Sequence, residues 1–469
     1  MLERLFEPRR VAVIGASGRP GQVGTEVVRS LLAGGRPISV VHPREKTVLG
    51  VGVTENIEDL PGDVDLAVVA LSAGTAEEAC VRAARRGVPF IVPVAGGFSE
   101  TGETGRALER SLVNAVRAAG GRVLGPNTVG LWVPGRGGVD TLFVQHEREL
   151  ISHRGCVAFV SQSGSVGVEA LGAAAVTGYG LRAFVSLGNK ADLDESDFVA
   201  HFGDDPGCRG IALYLESFRD GRRFLDVAGA VSRKKPVVIL KAGATRAGAG
   251  AVASHTGALS GSPLVAEGAF RQARILSVDG DEALLDGAKA LALCPAPAGP
   301  RAAFLTPAGG YGVLAADAIE SSEGELCLAR LSEDCRRRLR EASFPYAAVN
   351  NPVDLTASAT SAMMVEALRI LVADPGVDLV LCAAFLAPPG MSPDLVPGIA
   401  EVARSAKKPV LVLAMFGHET QALCKRFTDV GVAAFPSLAR AVCAARLLVR
   451  RGKCFSGPAD IKYGAPECG

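Results

Sequence analysis

Val11-Ala-Val-Ile-Gly15-Ala-Ser-Gly18-Arg-Pro-Gly21-Gln-Val-Gly24, residues 11–24, decides the fold class. Four apolar residues run into a glycine-punctuated turn, and a helical period begins behind it. Glycines let a backbone approach a pyrophosphate, and the first turn of a helix offers N–H donors and the positive end of its dipole. Gly15, Ala16, Ser17, Gly18, Gly21, Val23 and Gly24 are therefore candidate ligand contacts. The spacing is G-x-x-G-x-x-G, not the G-x-G-x-x-G of the usual NAD fingerprint. The next strand ends Val41-His42-Pro43 without the acid that holds a ribose hydroxyl in NAD sites; Arg44 and Lys46 follow. Cations there suit a phosphorylated ribose, as in coenzyme A or NADP, and equally suit plain solvated loop positions.

The same device of buried strand, small-residue turn and helix recurs along the chain. A first series of strands is expected at 11–14, 38–41, 66–71, 90–94 and 122–124, with helical periods at 75–86 and 105–119. A second occupies 156–160, 183–186, 210–215, 236–240 and 275–278. A third occupies 302–305, 379–384, 409–414 and 432–435. Such alternation predicts the α/β class, with parallel sheets covered by helices. Cys294-Pro-Ala-Pro-Ala-Gly-Pro300 carries three prolines in seven residues and reads as a linker. Residues 134–154 are less regular and join the first two units, and the tail after Arg451 reads as peripheral.

Composition bounds the function. The 469 residues suggest about three domains. Fifty Lys and Arg against 49 Asp and Glu leave no electrostatic case for nucleic acid or membrane. Aromatics at 5%, with Trp132 the one tryptophan, argue against stacking platforms for single strands. The eleven cysteines form no C-x-x-C pair, so no metal motif is expected, and they read as reduced thiols of a cytoplasmic protein. No apolar run reaches the roughly 18 residues of a membrane span.

A second anion-binding turn stands at Ser161-Gln162-Ser163-Gly164-Ser165, where hydroxyls and N–H groups gather at a helix start. It is not the G-x-S-x-G elbow, because residue 161 is Ser. Glu216 closes the strand 210–215, at the strand end where open sheets place ligands, though such a residue is also ordinary structure. Thr306-Pro-Ala-Gly-Gly-Tyr-Gly312 reads mainly as a tight turn. Lys241-Ala-Gly-Ala-Thr-Arg-Ala-Gly-Ala-Gly-Ala-Val-Ala-Ser-His255-Thr-Gly is almost free of side-chain bulk. It is expected as a loop, either carrying a moving histidine or an idle one.

In order, the segments VAVIGAS, VLGPNTVG (123–130), FVSQSGSVG, FVSLGNKAD (184–192), IALYLE, VVILKAG, SHTGALSG and LTPAGGYGVLAADA (305–318) resemble the α subunit of NDP-forming acyl-CoA synthetases. This is the ADP-forming acetate–CoA ligase group of the succinyl-CoA synthetase superfamily. The resemblance runs from Val11 to about Leu448. It implies a Rossmann-like CoA-binding domain (1–133) followed by two flavodoxin-like domains (150–294 and 300–452). It places His255 at the phosphohistidine position, Glu216 at its steadying carboxylate, and Ser161–Ser165 at the phosphate. Pro43, Arg44, Lys46, Leu71 and Ser72 join the glycine turn as implied CoA contacts. Thr128-Val129 stand where the family commonly has Cys-Leu, and Pro307 and Tyr311 where it has Asn and Pro.

The resemblance implies that carboxylate, CoA and ATP interconvert with acyl-CoA, ADP and phosphate through an acyl phosphate and a phosphohistidine. CoA is expected as a substrate. ATP or ADP and Mg2+ are expected mainly on an ATP-grasp β subunit, because no such module is read after Leu305, in an α2β2-type hetero-oligomer. Two rivals are a non-catalytic CoA- or nucleotide-binding regulatory protein of the same fold and an NAD(P)-dependent dehydrogenase. The intact His255, Glu216 and SQSG set weighs against the first, and the absent ribose-binding acid against the second.

Overall fold

The structure is a computed structural model that describes residues 2–135, 137–144, 154–256 and 262–455. The first sheet contains β1 (Arg10–Ile14), β2 (Ile38–Val41), β3 (Thr47–Val48), β4 (Val51–Thr54), β5 (Val64–Val69), β6 (Phe90–Pro93) and β7 (Arg122–Val123). Their order is β3-β4-β2-β1-β5-β6-β7, parallel except for the β3–β4 hairpin. Chain order reverses between β1 and β5, which is where a doubly wound sheet opens a crevice.

The second sheet holds β8 (Leu131–Val133), β9 (Val139–Asp140), β10 (Arg154–Ser161), β11 (Leu181–Ser186), β12 (Gly210–Leu215), β13 (Val237–Lys241) and β14 (Leu276–Ser277). They run β14-β13-β12-β10-β11-β8-β9, so the parallel core has flavodoxin order with its switch point between β10 and β12. The antiparallel β8 and β9 extend this sheet; β9 falls within the stretch 134–154 expected only to be irregular, and β8 stands just before it. The third sheet, of β15 (Arg301–Thr306), β16 (Cys327–Leu328), β17 (Val353–Asp354), β18 (Leu379–Phe385), β19 (Val410–Met415) and β20 (Ala433–Phe435), repeats that order, with β17 paired to β15.

Central strands are buried along their length, β5 and β19 at every residue, because helices cover both faces. Two compact units result. One takes residues 1–175 and 180–279 and includes the first two sheets; the other takes 176–179 and 280–469 with the third. The helix Asp281–Leu293 packs in the second unit against the helix Leu438–Phe455.

Within the first unit, Asp192 ties the two sheets together. Its carboxylate is fully buried, accepts from Val123 N–H at 2.8 Å, and pairs with Arg117 and Arg122. Burial opposes its charge, but those donors hold the carboxyl below the usual aspartate range. The loop 187–193 is thereby sewn to residues 123–127, with Asn189 N–H donating to Pro126 O and Ala191 N–H to Gly125 O.

Candidate active site

β10 runs out at Ser161, whose Oγ donates to Ser163 O at 2.6 Å. Ser163 Oγ lies 3.1 Å from Ser165 Oγ and accepts from Val166 N–H, so the turn caps the helix Gly164–Val176. Ser161, Ser163, Gly164 and Ser165 thus come together at the β10/β12 switch point. Gln162 turns the other way. Its Oε1 accepts the N–H of Glu216 at 2.9 Å and of Ser217 at 3.0 Å, and its Nε2 donates to Ser217 Oγ.

Glu216 is 5% exposed. Tyr214 stands two residues back on the same strand face; burial and then the charge of the Glu216 carboxylate push its phenol above the usual range. Two ammonium groups border the same segment. Lys241 Nζ donates to Glu216 O at 2.8 Å, and Lys190 Nζ donates to Ser217 O at 2.6 Å while pairing with Glu195 at 3.0 Å. Burial lowers both lysines; the ion pair with Glu195 is the main opposition at Lys190, whereas at Lys241 the charge of Lys190 adds to the lowering and Glu216 opposes it. None of Tyr214, Lys190 and Lys241 was anticipated from the sequence. The signal available was their place: each lies at or just past the carboxyl end of a parallel strand.

A cavity of about 220 Å³ opens beside the serine turn. Val94, Val129 and Phe143 give it an apolar side, and Asn127, Ser163, Ser165 and Asn189 a polar one. Asn127, at φ 56, and Gly188, also at φ 56, let the loops 125–130 and 186–189 interlock; a Cβ on Gly188 would meet Pro126 O at 2.2 Å. Asn189 is held by Glu100 at 2.6 Å and Glu109 at 2.8 Å. Glu216 does not line the cavity; Gln162, which does, carries the connection to it.

At the first switch point, Gly15 has φ 92, and a Cβ there would lie 2.6 Å from Leu71 Cδ2. Gly24 approaches Ala16 so closely that a Cβ would lie 2.8 Å from its Cα. Gly15, Ala16, Gly24 and Leu71 are therefore gathered as expected of a ligand turn. The helix Val23–Gly34 starts at Gln22 with no side-chain cap, and Gly18, Gly21, Val23, Pro43, Arg44, Lys46 and Ser72 are exposed around it, with Ser17 half-buried. One expectation needs correcting. An acid does follow β2: Glu45 accepts Gly18 N–H at 3.4 Å, reaching the turn from four residues beyond the strand end, and His42 Nδ1 folds that loop by accepting the N–H of Arg44 and Glu45. A second acid, Glu26, accepts Gly21 N–H at 3.1 Å and is held low by it.

His255 also differs from expectation. The segment read as a loop is an α-helix, Arg246–Thr256, because alanine is the strongest helix former and recurs at 247, 249, 251 and 253. His255 is its penultimate residue; its side chain, and residues 257–261, lie outside the described residues. In the second unit, Thr306 Oγ1 accepts Ala308 N–H at 3.0 Å, so the chain turns tightly over residues 306–308, and residues 309–312 are already the first turn of the helix Gly309–Glu320. Among the described residues no group of His, Cys, Asp and Glu is arranged to hold a metal, nine cysteines stand outside any disulfide, and no helix is long and apolar enough to cross a membrane.

Comparison with known proteins shows the family of the chain. Residues 9–134 match the CoA binding domain family, 154–291 the succinyl-CoA ligase like flavodoxin domain, and 302–451 the ligase-CoA domain. That succession defines the class of NDP-forming acyl-CoA synthetases. The chain is 37% identical to the alpha subunit of ADP-forming acetate–CoA ligase II of Pyrococcus furiosus, over 97% of this chain and 99% of that one. It is 34% identical to the alpha subunit of ligase I of the same organism, over 96% and 98%. A solved acetyl-coenzyme A synthetase 1 of Ca. Korarchaeum cryptofilum, in complex with phosphate and ADP, superposes with a TM-score of 0.85 at 33% identity, covering 97% of each chain. The chain belongs to the family of ADP-forming acetate–CoA ligase alpha subunits.

Proposed function

We propose that this chain is the α subunit of an ADP-forming acyl-CoA synthetase of the acetate–CoA ligase type. The observation that carries the reading is the switch point of the second sheet, where the Ser161–Ser165 turn and Glu216 are joined through Gln162 beside a cavity. CoA is the thiol substrate. It enters at the glycine turn of the first sheet, where the uncapped start of helix Val23–Gly34 offers N–H donors to a pyrophosphate.

Starting from acyl-CoA, a phosphate oxygen attacks the thioester carbonyl, the C–S bond breaks, and CoA leaves as thiolate. A neutral ring nitrogen of His255 then attacks phosphorus in the acyl phosphate and the carboxylate departs. Glu216 accepts the other ring N–H, which fixes the tautomer and stabilises the charged phosphoimidazole. Phosphoryl transfer needs mostly positioning and charge stabilisation, and the helix start behind Ser163–Ser165 supplies both for the phosphate oxygens. ADP finally takes the group on an ATP-grasp partner, which also holds Mg2+. We propose three domains, 1–133, 150–294 and 300–452, an α2β2-type assembly and a cytoplasmic location.

The experiment is an assay of acyl-CoA, ADP and phosphate conversion to ATP by the purified chain, with and without an ATP-grasp subunit. Conversion only with the partner is the expected result. Full activity of the isolated chain refutes the division of labour, and none in either case refutes the function.

A further inference from the structure

β12 stops at Leu215, and the next two residues, Glu216 and Ser217, own four main-chain hydrogen-bonding groups. Side chains take all four. Gln162 Oε1 accepts both N–H groups, Lys241 Nζ donates to the carbonyl of Glu216, and Lys190 Nζ donates to that of Ser217. The three side chains come from three places: the turn after β10, the last residue of β13, and the loop after β11.

Water would satisfy an exposed turn without such an arrangement. Here two ammonium groups are drawn out of water, which costs free energy unless they are paired. Lys190 is 4% exposed and stands at φ 57, a left-handed conformation that a lysine adopts only where its surroundings dictate it. With the peptide groups on both sides of its Cα pinned, the direction in which the Glu216 side chain leaves the backbone is fixed. Because Gln162 sits between Ser161 and Ser163, the serine turn and Glu216 are mechanically one piece.

We propose that Gln162, Lys190 and Lys241 are positioning residues, which together aim the Glu216 carboxylate at its histidine partner, and that Gln162 is not a phosphate ligand. The proposal rests on the assignment of Glu216 and His255 given above. It separates two roles within one motif: Ser163 and Ser165 face the phosphate, Ser161 braces the turn from beneath, and the glutamine serves the neighbouring strand.

The test uses the full-length chain with acetyl-CoA and radiolabelled phosphate, without nucleotide, and reads the rate at which acid-labile label appears on the protein. Gln162→Leu and Lys241→Met each slow labelling about 10- to 100-fold, as misplacement of a reacting group does. The half-saturating phosphate concentration stays unchanged, and Lys241→Arg, which keeps a cationic donor, recovers most of the rate. In a Glu216→Gln background neither change lowers the rate further, because groups that act through one carboxylate are not additive. Additive losses, or a raised half-saturating phosphate concentration in Gln162→Leu, overturn the proposal and leave the role of Glu216 standing. Full-rate labelling of Glu216→Gln alone removes the assignment of Glu216, and the proposal falls with it. An unlabelled unsubstituted chain refutes both. Should Gln162→Leu fail to fold, Lys241→Met decides, since Lys241 is part-exposed at a strand end.

Discussion

Val129 packs directly on Gly164: a Cβ added to the glycine would lie 2.8 Å from Val129 Cγ1. One residue opens the helix behind the serine turn, and the other lines the cavity in front of it. Gly164→Ala therefore pushes Val129 into the cavity. It is expected to cost about 1–3 kcal/mol of stability, the usual size of overpacking, and to lower activity. Val129→Ala in the same chain should restore both. Thermal unfolding and an acyl-CoA assay on the single and double variants check this.

Val129→Ala alone tests whether the cavity beside the serine turn receives the acyl group. Val94, Val129 and Phe143 form the apolar side of the 220 Å³ cavity. Removing two methyl groups there should shift the ratio of kcat/KM toward longer acyl groups by about 1–3 kcal/mol, the worth of one methylene in an apolar pocket. Parallel assays with acetyl-CoA and butyryl-CoA read the ratio directly; an unchanged ratio shows that the acyl group does not enter this cavity.

His255→Ala should abolish net synthesis of ATP from acyl-CoA, ADP and phosphate, while Glu216→Gln slows it on the order of 10²–10⁴-fold. The label on the unsubstituted chain should be acid-labile and base-stable, because protonating the second ring nitrogen makes imidazole a good leaving group. A His255→Ala enzyme that still makes ATP would point to direct transfer from acyl phosphate to ADP.

Titration calorimetry with CoA and with NAD tests the glycine turn. Heat is expected with CoA and little with NAD. Glu45 makes this a sharper question than Arg44 and Lys46 alone, since an acid does reach Gly18. Arg44→Glu should weaken CoA at least about 2- to 5-fold, the range of an exposed ion pair. Tighter binding of NAD than of CoA would reverse the reading.

Acid stability follows from Asp192. Its folded-state pKa lies below the unfolded value, so its contribution is fully present above about pH 4 and is lost as pH falls through the lower folded value. Asp192→Asn should cost about 2 kcal/mol at pH 7, where charge-assisted bonds to Arg117 and Arg122 are removed. It should also flatten the fall in stability below pH 4. Unfolding midpoints measured at pH 7 and through the range below 4 give both quantities.

Much of the fold was legible because parallel strands buried on both faces leave continuous apolar runs: Ile38–Val41 and Gly210–Leu215 were read to the residue. Two-residue strands such as β16 and β17 carry no such run. The antiparallel β8 and β9 lie beside Gly130, Pro134 and Gly135, where breakers mask them. The serine turn and Glu216 were visible as strand-end motifs, but the side chains that hold Glu216 come from three separate segments. No spacing rule joins Gln162, Lys190 and Lys241. Glu45 escaped because the acid was sought at the end of β2, whereas the fold of the loop brings it back from further along. The helix ending at Thr256 escaped because alanine and glycine together look like missing bulk, although alanine on its own favours helix.

That helix holds a reserve of length. Its eleven residues span about 16 Å at a helical rise of 1.5 Å, yet the same chain drawn out reaches about 36 Å. Of its described side chains only Val252 is buried, and Gly248 and Gly250 each weaken it by about 1 kcal/mol relative to alanine. Little packing would be given up by paying out this line from the Arg246 end, so a residue at position 255 can gain some 20 Å of range while its attachment to β13 stays where it is.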